Sequence, residues 1–352
     1  MLQLTWGWEP ALYLFLGGMG AGCFIMAAVL FLIDKAKHRL ITCVSMWAAF
    51  VCLAAGLMLL LAELITPLRG MLMWQSFSHF TSWMTYGAWI VFSAIIVFGL
   101  AAVCATDTLA TLVTRFWKGF EAKRNGILRV LSVIGLLVGV GVAVYTGVLL
   151  MSAPGVPLWN SPLLPVLFTV SALDTGVALV EVVAATQSRR EHLPRGLHRF
   201  VYAAVVVLVV LELCTLALLL NSLGVGVGTP ADGSWAATAA LSGDMLAFGA
   251  LSPYFWGLVV AIGLILPGIV AVVGLVRSRK GQVSIEDGNG EESGNNHPAP
   301  KRDVSAVALS GSVGALIGGC ALRFLVLMAG IHADPLSDAA ATVFQDMLLR
   351  LG

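Results

Sequence analysis

The sequence alternates between long apolar stretches and short polar connections. Eight of the apolar stretches contain about 20 residues or more, which is enough for a helix to cross about 30 Å of hydrocarbon. No stretch shows the alternating ten-residue pattern of a membrane barrel. The pattern predicts an all-α integral membrane protein whose eight transmembrane helices lie at about 10–33, 40–64, 84–105, 127–150, 163–186, 198–220, 252–276 and 305–330.

The composition agrees with a chain that folds in lipid. Of the 352 residues, 59% are hydrophobic and 11% are charged, whereas a soluble domain has about 25% charged residues. These values exclude an ordinary cytosolic enzyme, a disordered chain and a nucleic-acid-binding protein. The first apolar run lacks the basic start and cleavage site of a signal peptide, so we expect it to be retained as a span.

Basic residues lie almost entirely on one side of the predicted helices. The connections after the first, third, fifth and seventh spans hold 16 of the 20 Lys and Arg residues, whereas the opposite side has only Arg69 and Arg350. Because cytoplasmic loops are enriched in Lys and Arg, both termini are predicted to lie outside the cytoplasm. The polar segment 281–300 is then a flexible cytoplasmic linker, and 221–250 is a long outer loop.

A weak internal similarity suggests two halves. Trp8 and Pro10 open the first span, and Trp159 and Pro165 open the fifth in a comparable order. We therefore expect one membrane domain over 1–352, made of a four-helix bundle at 1–150 and a second at 151–352.

Haem and metal centres are not expected in this protein. A b-type haem needs facing histidines within the bundle, but every histidine lies in a connection or at the end of a span: His38, His79, His192, His198, His297 and His332. The six cysteines lie in apolar runs with no C-x-x-C pair, so we interpret them as core residues and expect no iron–sulfur cluster. No group of residues has the spacing of metal ligands.

Ionisable residues inside the predicted spans are candidates for function. Each costs about 2.5–3.5 kcal/mol or more to insert, and the five are Glu63, Asp174, Glu181, Glu212 and Arg323. Asp174 and Glu181 are seven residues apart and share a helix face at about 10 Å. Two interpretations stay open. Asp174, Glu181 and Glu212 form a proton path, or Asp174 or Glu212 pairs with Arg323 and holds the helices together.

Polar and aromatic residues also collect at the predicted outer ends of the spans. Glu9 and Tyr13 are four residues apart and so share one face of the first span. The other members are Glu63, Arg69, Ser82, Trp83, Thr85, Tyr86, Tyr145, Trp159, Arg323 and His332. An aromatic belt at the membrane surface explains many of these residues. A pocket for an amphiphilic quinone explains the acidic and basic members better, because such a ring needs apolar walls, hydrogen-bond donors and a proton carrier.

Several segments resemble the NrfD/PsrC family, the membrane subunits of polysulfide-reductase-like complexes. The matching segments are WEPALYLFLGGMGAG at 8–22, TSWMTYGAW at 81–89, YTGVLL at 145–150, PGVPLWNSPLLPVLF at 154–168, FWGLVVAIGLILP at 255–267 and LRFLVLMAG at 322–330. The resemblance spans the whole sequence in the correct order. It departs at ELITPLR (63–69), where the family often has D-L-G-R-P and Thr66 replaces the arginine.

The resemblance implies eight helices without haem and a pocket for menaquinone or ubiquinone near the outer face. It also implies a ferredoxin-like iron–sulfur subunit docked there, a molybdopterin or tungstopterin catalytic subunit beyond it, and a location in a bacterial or archaeal cytoplasmic membrane. For this protein the expected quinone contacts are Tyr13, Tyr145, Arg323, Trp83 and Tyr86. Tyr145 would hydrogen-bond a quinone carbonyl, and Glu9 or Glu63 would exchange its proton.

We therefore predict a quinone-reactive membrane anchor of an oxidoreductase complex, which is not catalytic alone because it has no electron-transfer centre. A secondary transporter is the first alternative and would place charges and broken helices at the membrane midplane. Asp174 and Glu212 fit that alternative weakly, and the spans lack an evident proline interruption. A purely structural anchor is the second alternative, although it would not need charges inside the membrane.

Overall fold

A computed structural model describes residues 7–33, 39–63, 83–116, 119–153, 155–187, 195–225, 235–286 and 303–332. Its regular elements in these ranges are helices, and eight of them are long and apolar enough to cross a membrane. Seven are single α-helices: Trp8–Ile33, Arg39–Glu63, Trp83–Ala105, Phe120–Met151, Leu163–Gln187, Arg195–Ser222 and Asp303–Met328. The other, the seventh span, is composite. The predicted number and order of spans are confirmed.

The first and fifth spans form the centre of the molecule. The first packs against the second, fourth, fifth and eighth spans, and the fifth also contacts the second, fourth, sixth and eighth. The third span packs on the second and fourth, and the seventh packs on the sixth and eighth. The spans at the periphery of the helix bundle consequently expose apolar side chains on the faces that would contact lipid. This arrangement is expected of a helical membrane protein.

Glycines allow the closest helix contacts. A Cβ atom at Gly22 would overlap the carbonyl oxygen of Ala172, and one at Gly176 would overlap the backbone of Gly22. Gly263 of the seventh span and Gly318 of the eighth approach each other in the same way. Small residues let helix backbones approach in lipid, where packing replaces the hydrophobic driving force. Any side chain larger than a hydrogen atom at these glycines would therefore push apart the first and fifth spans or the seventh and eighth spans.

The seventh span changes its helical geometry along its length. It begins with one α turn, Ser252–Tyr254, continues as a π-helix over Phe255–Ile265, and ends as an α-helix over Leu266–Glu286. Pro267 lies just after the π-helix and has no N–H to donate. The helix continues through Pro267 without a break, and its hydrogen-bond register changes just before this residue. The helix also reaches into the predicted linker 281–300, whose remaining residues lie outside the described part.

Two shorter helices were not predicted from the sequence. Asp107–Phe116 follows the third span, and Trp235–Ala247 lies within the segment interpreted as an outer loop. Arg124, one of the basic residues in the predicted connection after the third span, is only 4% exposed. Its Nε donates to the carbonyl oxygen of Cys104 at 2.7 Å, and its Nη1 lies 2.8 Å from Oδ1 of Asp107. The guanidinium thus satisfies carbonyl groups at the end of the third span, which explains its burial.

Candidate functional site

A cluster of buried polar side chains lies inside the packed helices. Ser171 and Asp174 belong to the fifth span, Glu212 belongs to the sixth and Arg323 belongs to the eighth. Each of the four is at most 3% exposed. The structure thus brings together three of the ionisable residues that the sequence singled out. Ser171 was missed, although its place three residues before Asp174 on the same helix face was a usable signal.

Arg323 is held by hydrogen bonds and by aromatic rings. Its Nη1 donates to Oγ of Ser171 at 3.2 Å and to the carbonyl oxygen of Gly319 at 2.7 Å. Its guanidinium carbon lies 5.7 Å from the ring centre of Phe15 and 5.3 Å from that of Phe168. A cation over aromatic faces is attracted by their negative charge density. Arg323 therefore connects the eighth span to the first and the fifth.

The predicted pairing of Arg323 with an acid occurs through the hydroxyl group of Ser171. Its Nε and Nη2 have no hydrogen-bond partner among the described residues, and neither does Oδ1 of Asp174. Glu212 and Arg323 both interact with the Ser171 hydroxyl, and the charge of Glu212 acts on Arg323. A buried polar atom without a partner is costly and calls for an explanation. Ser171 therefore links Glu212 to Arg323 within the buried cluster.

Glu181 extends this cluster along the fifth span. Its Oε2 accepts a 2.6 Å hydrogen bond from the hydroxyl of Ser312 on the eighth span. Asp174 interacts electrostatically with both Glu181 and Glu212. The three acids predicted to form a proton path therefore lie close enough to influence one another. Ser312 was not singled out in the sequence, because a single serine in an apolar run carries little signal.

The predicted quinone contacts lie in another part of the molecule. Tyr145 on the fourth span is half-buried, and its ring lies against Gly87 of the third span so closely that a Cβ there would overlap it. Tyr13 is also half-buried, and its carbonyl oxygen faces Gly56 of the second span. The carboxylate of Glu9, one turn earlier, turns back beside Gly7. These three residues belong to mutually packed helices at one end of the molecule.

Arg323 approaches the first span on a different side from Tyr13. Its contacts there are Phe15 and Gly18, whereas Tyr13 and Gly17 border Gly56 of the second span. At 100° per residue, Phe15 and Gly18 point roughly opposite to Tyr13 and Gly17. The structure therefore groups Arg323 with the buried acids and separates it from the outer aromatic group in which the sequence analysis placed it.

The remaining members of the outer group differ in their surroundings. Trp83 and Tyr86 are 56% and 46% exposed, with ring centres 5.9 Å apart. Trp159, by contrast, is buried and donates from Nε1 to the carbonyl oxygen of Val326 at 2.9 Å. The side chain of Glu63 lies outside the described residues, and so do Arg69, Ser82 and His79. Within the described part of the protein, no group of three or more His, Cys, Asp or Glu is arranged to hold a metal ion.

Comparison with known proteins gives the family. A family model described as "Polysulphide reductase, NrfD" matches residues 1–285. The chain belongs to the NrfD family. It is also similar to the C subunit of polysulfide reductase from Wolinella succinogenes, with 26% identity over 76% of this protein and 83% of the relative. Protein NrfD of Escherichia coli K12 is 28% identical over 93% of this protein and 95% of its own length. The resemblance seen in the sequence is thus confirmed, and the protein is a multi-pass membrane protein of this family.

Proposed function

We propose that this protein is the quinone-reactive membrane subunit of a multi-subunit oxidoreductase. It would exchange electrons between a membrane quinone and a ferredoxin-like iron–sulfur subunit, which in turn serves a molybdopterin or tungstopterin catalytic subunit. The observation that carries the proposal is the family match over most of the sequence. The relative from Wolinella succinogenes is named as one component of polysulfide reductase, which supports a role as one subunit among several.

The proposed orientation in the membrane follows from the distribution of Lys and Arg residues between the connections. Both termini and the ends of the spans that carry Glu9 and Tyr145 lie on the outer side, where the iron–sulfur subunit docks. In this proposal the first four and the last four spans form two four-helix bundles, which the contact between the first and fifth spans joins. The protein would lie in the cytoplasmic membrane of a bacterium or an archaeon.

The outer group would bind the quinone ring. Gly87 leaves the space in which the ring of Tyr145 lies between the third and fourth spans, and the half-buried phenol offers a hydroxyl at the tip of an apolar ring. A tyrosine of this kind suits a carbonyl that enters from lipid. Tyr145 and Tyr13 would orient menaquinone or ubiquinone, while Trp83 and Tyr86 would cover its apolar side.

Proton exchange is the chemistry that this protein itself would supply. A quinone takes up two electrons and two protons when it is reduced to the quinol. The electrons belong to the iron–sulfur partner, since no electron-transfer centre is expected in this protein. Glu9, or Glu63 at the end of the second span, would carry protons between the ring and the outer solvent. Asp174, Glu181 and Glu212 would form a separate proton path through the second bundle, coupled to the first span through Arg323 and Phe15.

Affinity purification of the full-length protein from its native membrane tests this proposal. We expect an iron–sulfur protein to copurify and the isolated complex to exchange electrons with a soluble quinone analogue. Isolation of the protein without any iron–sulfur partner, by a procedure that keeps other membrane complexes intact, would contradict it.

A secondary transporter stays the second candidate, because one observation favours it. The π-helix over Phe255–Ile265 and Pro267 interrupt regular hydrogen bonding beside the buried acids. Irregular helices near the midplane are typical of transporter ion sites. The same feature is also compatible with ion movement coupled to electron transfer. The copurification experiment separates the two candidates, because only the oxidoreductase subunit requires an iron–sulfur partner.

A further inference from the structure

The short helix Asp107–Phe116 separates polar from apolar side chains more sharply than the described spans do. At 100° per residue its side chains divide between two opposite faces. The polar face carries Asp107, Thr108, Thr111, Thr114 and Arg115, and the apolar face carries Leu109, Leu112 and Val113. A helix with this division is typical of the boundary between the headgroups and the hydrocarbon of a membrane.

The protein covers the apolar face of this helix only in part. The helix packs mainly on the third and fourth spans, and Ala110 is buried on the side that faces them. Leu109 and Val113 are half-buried, whereas Leu112 is 53% exposed. In a membrane protein, an exposed leucine beside a span is stabilised by contact with acyl chains. The uncovered part of the apolar face is therefore suited to lipid.

The fourth span, which follows the short helix, is longer than the hydrocarbon of a membrane. The 32 residues of Phe120–Met151 form about 48 Å of helix, whereas the hydrocarbon is about 30 Å thick. Its charged residues all lie within the first ten positions, and Arg129 is the last of them. This end therefore projects from the hydrocarbon and places Arg129 at the level of the headgroups. In the topology proposed above, it is the cytoplasmic end.

The segment 107–129 carries a surplus of positive charge. It contains five Lys and Arg residues but only two acids, Asp107 and Glu121. Both acids lie beside the buried guanidinium of Arg124, whose Nη1 is 2.8 Å from Asp107 and 3.6 Å from Glu121. Because Arg124 engages the acids, the exposed basic side chains can bind an external anion. These side chains are Arg115, Lys123 and Arg129. Anionic lipids attract basic residues that lie next to a span.

We propose that the Asp107–Phe116 helix lies in the headgroup layer of the cytoplasmic leaflet, where Arg115, Lys123 and Arg129 bind the phosphate groups of anionic phospholipids. Leu112 inserts between the acyl chains of these lipids. Arg115 and Leu112 are three residues apart and are therefore neighbours on the helix surface. A basic group beside an exposed leucine suits a phospholipid better than a free phosphate ion. The proposal does not depend on quinone chemistry, so a failed quinone experiment would leave it intact.

Titration of the purified full-length protein with phospholipid in a neutral detergent tests the proposal. The probe is dioleoyl phosphatidylglycerol, and dioleoyl phosphatidylcholine is the reference without net charge. The measured quantity is the lipid concentration that gives half of the maximal rise in unfolding temperature, at low and at high salt. The variants are Arg115→Gln and Leu112→Gln. Their matched controls are Arg277→Gln, at the cytoplasmic end of the seventh span, and Thr111→Gln, on the polar face of the short helix. All four side chains are exposed, so the substitutions should leave folding intact.

We expect phosphatidylglycerol to bind more tightly than phosphatidylcholine, and high salt should reduce the difference by screening. Arg115→Gln should raise the half-maximal concentration of phosphatidylglycerol about fivefold and leave that of phosphatidylcholine unchanged. Leu112→Gln should raise the half-maximal concentration of both lipids, because it removes a contact with acyl chains. Arg277→Gln and Thr111→Gln should have wild-type values.

Three results would overturn the proposal. Equal binding of the two lipids by the wild type would show that the basic residues do not select anionic headgroups. Equal weakening by Arg115→Gln and Arg277→Gln would show a diffuse attraction by all basic residues of the cytoplasmic side. Weakening by Arg115→Gln without any effect of Leu112→Gln would show a site for phosphate ions that does not require a lipid.

Discussion

Ser312 donates a 2.6 Å hydrogen bond to Oε2 of Glu181 and so joins the eighth span to the fifth. Ser312 is 2% exposed, and its hydroxyl also lies 3.0 Å from the carbonyl oxygen of Ala308 on its own helix. The bond compensates a carboxylate that is costly to place within the membrane. It is a polar contact between two helices that otherwise meet largely through apolar and small residues.

Replacing Ser312 should weaken this junction measurably. Ser312→Ala leaves the Glu181 carboxylate without its donor, which costs about 1–3 kcal/mol for a buried charged acceptor. We expect a lower unfolding temperature of the purified protein in detergent. Ser310→Ala is the matched control, because Ser310 is exposed and donates to the carbonyl oxygen of Val307 on its own helix. Equal losses of stability in both variants would show that the interhelical bond contributes nothing.

The first span offers a sharp comparison between two glycines. Gly22→Ala would place a methyl group on the carbonyl of Ala172, so the first and fifth spans would have to separate. Overpacking of this kind costs about 1–3 kcal/mol. Gly17→Ala meets nothing within 4 Å and should be neutral or slightly stabilising, since alanine favours helices. The yield and unfolding temperature of the two variants are the measurement, and similar values would contradict the described crossing.

The count of spans could be predicted because lipid imposes it. Every crossing needs about 20 apolar residues, and the sequence shows eight such runs. The ends of the spans were predicted less accurately where a charged side chain is buried. Arg124 sits beside Lys123 in sequence, and nothing local reveals that one is 4% exposed and the other exposed. Only the position of the third-span carbonyls decides which guanidinium or ammonium group is buried.

The candidate site was predictable in part for a related reason. Charged residues in apolar runs are conspicuous, so Asp174, Glu212 and Arg323 could be identified before their contacts were known. Their neutral partner Ser171 is common in membrane helices and was overlooked. The π-helix beside them could not be predicted, because Phe255–Ile265 is uniformly apolar and a change of hydrogen-bond register leaves no polar pattern.

Arg124 provides a stability prediction at the other end of the third span. Arg124→Met removes hydrogen bonds to the carbonyl oxygens of Cys104 and Ala105 and the ion pair with Asp107. Loss of these charged contacts should cost about 2–4 kcal/mol, because two buried carbonyls remain without a donor. Lys123→Met, at the exposed neighbouring position, should change stability by less than about 0.5 kcal/mol. The difference in unfolding free energy between the two variants is the relevant quantity.

The proposed topology predicts the side on which each connection lies. Reporter fusions after residues 120 and 280 should have cytoplasmic activity, and a fusion after residue 235 should have outer activity. The Trp235–Ala247 helix would then lie on the outer side. A cytoplasmic signal at residue 235 would invert the arrangement and place Glu9 and Tyr145 on the wrong side for an outer iron–sulfur partner.

The central claim, a quinone site at the outer ends of the first and fourth spans, is tested most directly by quinone turnover in native membranes. Tyr145→Phe removes one neutral hydrogen bond and should lower affinity by up to about tenfold. Glu9→Gln removes a proton carrier and should slow turnover by about 10²–10⁴-fold. Tyr254→Phe, at a 57% exposed position on the seventh span, is the control and should have wild-type turnover. In all three variants, assembly of the complex and its reaction with an artificial dye should be unchanged. Wild-type quinone turnover in both Tyr145→Phe and Glu9→Gln would contradict the account and reduce the outer group to an aromatic belt.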